Sequence, residues 1–368
     1  MRVDSRTMPL GASTVGTGCD PEAFERAYAG RSVLVTGGAS FIGSHLVDRL
    51  VECNADVVVV DDFSSGKREH LATLGDERII ELDLADRAAT LAQLPQCEYV
   101  FHLAAVHGGR GFIEGFPDQI LVNLAIDNAV YEACRLAGTK RIVYASSACV
   151  YPTVLQASEQ DCPMLAEGQA GFDRPGDAFP EGAYGWCKLM GEFQLEQIAK
   201  RNAPFTGTAA RIFSVYGERE NETHAVIALI AKAALRLDPF PVWGTGHQVR
   251  NFTYVTDTVT GLLLLGALRD GVAYRAVNVG SRRHCTIVEF LDLLFGLEGW
   301  RPESIESEPW RAVGVASRAS DNTLIRGLFD WEPSTSLEEG LRKTLSWYRT
   351  RGDRPTSAEK LEPLLLAR

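Results

Sequence analysis

The chain has 368 residues and a formal net charge of −11, and 45% of its residues are hydrophobic. That acidity argues against nucleic acid as the main partner, although an anionic nucleotide remains admissible in a local basic pocket. The longest apolar run, 259–268, is interrupted by Thr260 and Gly261 and is too short to span a bilayer, so no membrane partner is expected.

Residues 1–30 are rich in Gly, Ser and Thr at first and become helix-like only over 21–29. They read as a partly disordered extension with no apolar segment of the secretory kind. A short apolar run, 33–35, has the pattern of a strand buried on both faces. Thr36 and Gly37 then open a tight turn, after which Phe41, Ile42, Leu46, Val47 and Leu50 recur at helical spacing. A second buried strand, 57–60, ends on Asp61 and Asp62. Strand, glycine turn, helix and strand with a terminal acid is the layout that seats a dinucleotide. The pyrophosphate lies on the helix N-terminus and the acid binds the ribose hydroxyls. In Gly37-x-x-Ser40-x-x-Gly43 a serine replaces the middle glycine, which strains the approach of phosphate without forbidding it. Asp61 would repel a 2′-phosphate, so the expected cofactor is NAD rather than NADP.

A third strand is expected over 78–82, leading to Asp83 and Leu84, and a fourth over 99–104. The fourth runs into a loop carrying Gly108, Gly109, Arg110 and Gly111, whose glycines let backbone approach a ligand. An amphipathic helix over 119–137 ends at Gly138, a fifth strand over 141–145 runs into Ser146 and Ser147, and a further helix opens around 183–188. Strands alternating with helices predict an α/β fold with a doubly wound, Rossmann-type parallel sheet, the NAD-binding domain being placed at 31–213. Beyond it the alternation fades. Residues 214–350 are assigned mainly to a smaller, interleaved α/β substrate domain, and 351–368 to a loose tail. The eight cysteines show no C-x-x-C pair, which suggests reduced thiols and a cytoplasmic protein. The seven histidines show no H-x-x-x-H or H-E-x-x-H spacing, so no metal is expected.

Tyr184 and Lys188 are four residues apart and share a helix face. An ammonium beside a phenol lowers its pKa, so that the phenolate takes a proton from a sugar hydroxyl that Ser147 also binds. Downstream of a dinucleotide fingerprint, these three residues form a hydride-transfer unit.

With Phe101-His102-Leu103-Ala104-Ala105 and Arg250-x-Phe-x-Tyr-Val-x-Asp257, these motifs resemble the extended short-chain dehydrogenase/reductase superfamily over about residues 31–350. The sugar-nucleotide epimerases are the nearest group. The stretches 108–113, 145–152 and 319–325 are similar to the GDP-mannose 3,5-epimerases. The resemblance implies NAD held by Gly37, Ser40, Phe41, Ile42, Gly43, Asp61, Asp62, Asp83, Leu84, Leu103, Ala104 and Ala105, with Tyr184 and Lys188. It implies oxidation of the sugar at C4, which acidifies C3 and C5, then inversion at one or both carbons and return of the hydride. By position Cys149 is the base. His224 stands where a lysine acid is expected, and Ser214 where the family usually has asparagine. Arg250 and Arg318 become candidates for the diphosphate, and Gly108, Gly109 and Arg110 for the sugar. The expected substrate is a GDP-hexose and the expected assembly a homodimer. A Cys/His pair also resembles GDP-fucose synthase, which Asp61 disfavours because that enzyme uses NADPH. A C4 epimerase of another sugar nucleotide and a degenerate, non-catalytic nucleotide-binding scaffold are the remaining alternatives.

Overall fold

The computed structural model describes residues 21–366; residues 1–20 of the expected extension, and 367–368 at the far end of the tail, lie outside it. Helix α1 (Pro21–Tyr28) precedes β1 (Ser32–Thr36), α2 (Phe41–Glu52) and β2 (Asp56–Asp61). Then come β3 (Ile79–Glu81), β4 (Tyr99–His102), α3 (Asn123–Leu136), β5 (Arg141–Ser147), α4 (Gly182–Arg201) and β6 (Thr206–Ile212). The second half supplies α5 (Ala225–Ala234), α6 (Val255–Ala267), β7 (Tyr274–Val279), α7 (Ile287–Glu298), α8 (Leu337–Thr350) and α9 (Ala358–Leu365).

The seven strands form one parallel sheet in the order β7-β6-β5-β4-β1-β2-β3. The valine-rich strands are buried on both faces because helices cover both. Leu46 and Val47 of α2 and Leu262 and Leu265 of α6 pack on one side, and Val130 of α3 and Leu195 of α4 on the other. From the second half of the chain, β7 joins this sheet beside β6 in register Tyr274↔Gly207 to Val279↔Ile212. The order reverses between β1 and β4. In open α/β sheets, ligands bind outside the carboxyl ends of the strands at such a switch point.

Smaller pieces complete the second half. Phe240–Trp243 pairs in parallel with Ile305–Glu308, and Val249–Arg250 pairs antiparallel with Cys285–Thr286. The tail expected to be loose is corrected here. It carries α9, whose Leu361 and Leu365 are buried against α5, because an apolar i, i+4 pair in a short helix has a hydrophobic partner to bury against. Among the described residues no helix is long and apolar enough to cross a membrane.

Candidate active site

A cavity of about 1180 Å³ opens at the carboxyl ends of β1, β4 and β5 and is closed by the second half of the chain. One end is the glycine turn. Gly37 has φ +69°, and a Cβ there would lie 2.8 Å from the Ala104 nitrogen, so β1 and β4 approach closely only because the side chain is absent. At Gly43 a Cβ would fall 2.1 Å from the Gly37 carbonyl oxygen, so α2 packs hard onto the turn. Ser40 directs its hydroxyl back to that same carbonyl at 2.6 Å. The serine therefore closes the turn on itself, and Phe41 and Ile42, whose first-turn amides have no acceptor within the helix, line the cavity. Behind them the buried Asp61 carboxylate accepts the amides of Ala39 and Phe63, both at 2.9 Å. Gly37, Gly43, Asp61 and Ala104 thus stand behind the cavity wall rather than on it, while the first-turn amides of α2 suit the pyrophosphate of NAD. Leu103 and Ala105 also line the cavity. Asp62, Asp83 and Leu84 do not. Asp62 and Asp83 are exposed and cap local turns through the amides of Ser64 and Ala85, whereas Leu84 is buried in the core.

Ser147, Tyr184 and Lys188 meet at the end of β5, on the same cavity. Ser146 donates to the buried Glu192, itself held by Arg211, so Ser147 is the serine left for a ligand. Lys188 Nζ donates to the Ala145 carbonyl at 2.7 Å and lies 5.7 Å from the Tyr184 ring centroid. Burial lowers the Lys188 pKa against the pull of Asp127. Burial likewise holds the Tyr184 phenol well above its usual range. The expected lowering of the phenol is therefore absent in the protein alone, because desolvation of the phenolate, with Cys149 and Asp127 nearby, outweighs the pull of Arg110. Beneath the site, His102 bridges Thr36 Oγ1 at 2.7 Å and Asp127 at 3.1 Å, and Tyr144 donates to Asp127 at 2.7 Å. This fully buried network ties the ends of β1, β4 and β5 to α3.

Cys149 follows Ser147 in a single helical turn, its amide donating to Ser147 Oγ at 3.1 Å. Its sulfur lies 3.5 Å from Arg318 Nη1. Arg318 also donates from Nε to Gln156 at 2.7 Å and from Nη2 to Glu181 at 2.6 Å. The same Glu181 oxygen accepts Arg110 at 2.7 Å, and its other oxygen accepts the Val315 amide at 3.1 Å. Burial alone would raise the Glu181 pKa, but Arg318 and Arg110 outweigh it and hold the carboxyl well below its usual range. Arg250 donates to the carbonyls of Val249, Val313 and Val315 and, among the described residues, forms no ion pair with a carboxylate. Burial, with Arg318 and Arg110 nearby, brings its pKa down to about 9. Two guanidinium groups thus share one carboxylate, with Arg250 close by on backbone carbonyls. Arg318, expected at the diphosphate, is largely committed to Gln156, Glu181 and Cys149.

His224 caps the N-terminus of α5 and faces the same cavity as Cys149. Its Nδ1 lies 3.1 Å from Thr223 Oγ1 and 3.2 Å from Asn221 Oδ1. Although 32% of the side chain is open to the cavity, it lies deep enough that burial brings its pKa down to about 4. The glycine loop packs directly against it. The His107 and His224 ring centroids are 5.6 Å apart, and a Cβ on Gly109 would lie 1.8 Å from the Thr223 carbonyl oxygen. Gly108 and Ser214 complete the wall. The sequence motifs did not reveal Gln156 or Glu181, which reach the site across long sequence separations and carry no local signature, whereas His107 adjoins the glycine loop that the sequence did single out.

Residues 33–280 match the NAD dependent epimerase/dehydratase family, and the chain belongs to it. Its sheet, cradle and Ser/Tyr/Lys group agree with an NAD-dependent epimerase acting on sugar nucleotides. It is 31% identical over 328 residues to GDP-mannose 3,5-epimerase 1 of Oryza sativa subsp. indica, covering 86% of this chain and 81% of that protein. It is 30% identical to UDP-N-acetyl-alpha-D-glucosaminuronate decarboxylase of Bacillus cytotoxicus, over 86% and 97% of the two chains. Among solved structures, UDP-glucose 4-epimerase of Thermotoga maritima, determined with UDP-glucose, superposes with a TM-score of 0.75. It is 30% identical and covers 86% of this chain and 98% of that one.

Proposed function

We propose that the protein inverts C5, C3 or both of a GDP-hexose such as GDP-mannose through a transient 4-keto sugar. The observation that carries this reading is that Cys149 and His224 line the same cavity as Ser147, Tyr184 and Lys188. NAD in the cradle of Gly37, Ser40, Phe41, Ile42, Gly43 and Asp61 supplies a hydride acceptor and a cationic ring. Tyr184 takes the proton of the C4 hydroxyl, Ser147 orients that hydroxyl, and Lys188 supplies positive charge that favours the phenolate against burial. The resulting ketone acidifies the neighbouring C–H bonds. Cys149 removes the proton as a thiolate, which the adjacent Arg318 guanidinium favours, and His224 returns one from the other side. Arg250, which among the described residues has no carboxylate partner, supplies positive charge for the diphosphate, and Arg110, paired with Glu181, faces the sugar. Exposed Leu121 and Trp186, on adjoining segments, support a homodimer.

Incubation with GDP-mannose in heavy water, read by NMR at each sugar carbon, tests the reading. Deuterium at C5, or at C3 and C5, supports it. Absence of label with NAD bound overturns it. The similarity to the Thermotoga maritima enzyme favours a second reading, a UDP-sugar 4-epimerase, under which UDP-glucose gives its C4 epimer without solvent label.

A further inference from the structure

Glu220 is buried, lines the cavity, and stands four residues before His224 in the turn that leads into α5. Its Oε1 lies 3.6 Å from His224 Nδ1, and its buried Oε2 has no hydrogen-bond partner. Among the described residues, His224 is the only group placed to form an ion pair with it. A carboxyl left this way is costly unless it has a use. Thr223 and Asn221, both neutral, occupy Nδ1, and the other titratable ring facing His224 is His107 from the glycine loop. His224 also caps α5, where the helix dipole and burial both disfavour an imidazolium. An acid in that position needs a counter-charge.

We infer that Glu220 and His224 hold one exchangeable proton between them, the Glu220 carboxylate being the counter-charge of the His224 imidazolium that protonates carbon. Burial favours both neutral forms, raising Glu220 and lowering His224, so at rest the pair's proton sits on Glu220, and it passes to the imidazole when the carbanion forms. On delivery, the imidazolium N–H bond breaks and its electrons stay on the ring. The electron pair of the deprotonated carbon forms the new C–H bond. The pair is left as carboxylate and neutral imidazole, and solvent restores its proton. Glu220 is thus a positioning residue that acts through His224, and the assignment rests on the epimerase reading above.

The test uses the full chain with its imidazoles isotopically labelled, the His224 signal being assigned with His224→Ala. In Glu220→Gln the His224 titration is expected to fall by roughly one pH unit. Entry of solvent deuterium into GDP-mannose is expected to drop roughly 10- to 100-fold, the lower part of what a positioned acid contributes, while oxidation at C4 persists as bound NADH. Glu220→Asp, which keeps the charge, restores both in part. Superimposable titrations of wild type and Glu220→Gln overturn the shared proton, and a shifted titration with unchanged deuterium entry overturns its catalytic use. If the wild type takes up no label, the epimerase reading fails on its own, and the titration still decides the pair.

Discussion

Glu181→Gln is the substitution with the largest consequence that a local reading would overlook. The Glu181 carboxylate accepts Arg110, Arg318 and the Val315 amide, and its side chain is 10% exposed. Glutamine keeps the shape and one acceptor oxygen, which serves either the two guanidinium groups or the Val315 amide but not both, and both guanidinium groups lose their counter-charge. Breaking a buried ion pair from one side costs about 3–5 kcal/mol, and the retained acceptor places the loss near the lower end, about 3 kcal/mol. Because its folded pKa is depressed, the stability Glu181 contributes is complete above the unfolded value of about 4.3. It disappears as the pH falls below that value. Urea denaturation of both proteins at pH 7, repeated at successively lower pH, is the assay. The difference should be largest at pH 7 and shrink once the pH passes below about 4. Turnover should fall as well, since Arg318 would no longer be held against Cys149. A loss under about 1 kcal/mol at pH 7 would show that Glu181 is no more than a surface-type pair, and the account of the Cys149 environment would fall with it.

Tyr184→Phe should abolish turnover and leave NAD bound, as judged by the cofactor released from the purified protein; undiminished activity removes Tyr184 from the hydride-transfer unit. Cys149→Ala should stop solvent exchange at carbon and still permit oxidation at C4, seen as the absorbance of bound NADH, so persistent exchange would assign the base elsewhere. Gly43→Ala places a methyl 2.1 Å from the Gly37 carbonyl oxygen, where α2 must move off the turn. NAD affinity should fall roughly tenfold or more by titration, a change of about 1.4 kcal/mol or greater, and unaltered affinity would mean that the turn does not set the cradle.

Short-range physics made much of this protein legible without a structure. Val33 to Val35, the Gly37 turn, the helix from Phe41 and the strand ending on Asp61 lie within one supersecondary unit, where hydrophobic period and turn chemistry speak for themselves. Tyr184 and Lys188 are likewise readable, since one helical turn fixes their common face. The tail was misread because the apolar pair Leu361 and Leu365 specifies a helix only when α5 is there to receive it. The surroundings of the reacting groups were decided by tertiary structure alone. Arg318 is 169 residues from Cys149 and 137 from Glu181, and no periodicity in the chain encodes which carboxylate a distant guanidinium will find. The same holds for the phenol of Tyr184. Sequence places an ammonium beside it, but only the packed site determines how much water is removed, and that desolvation decides the sign of the pKa shift.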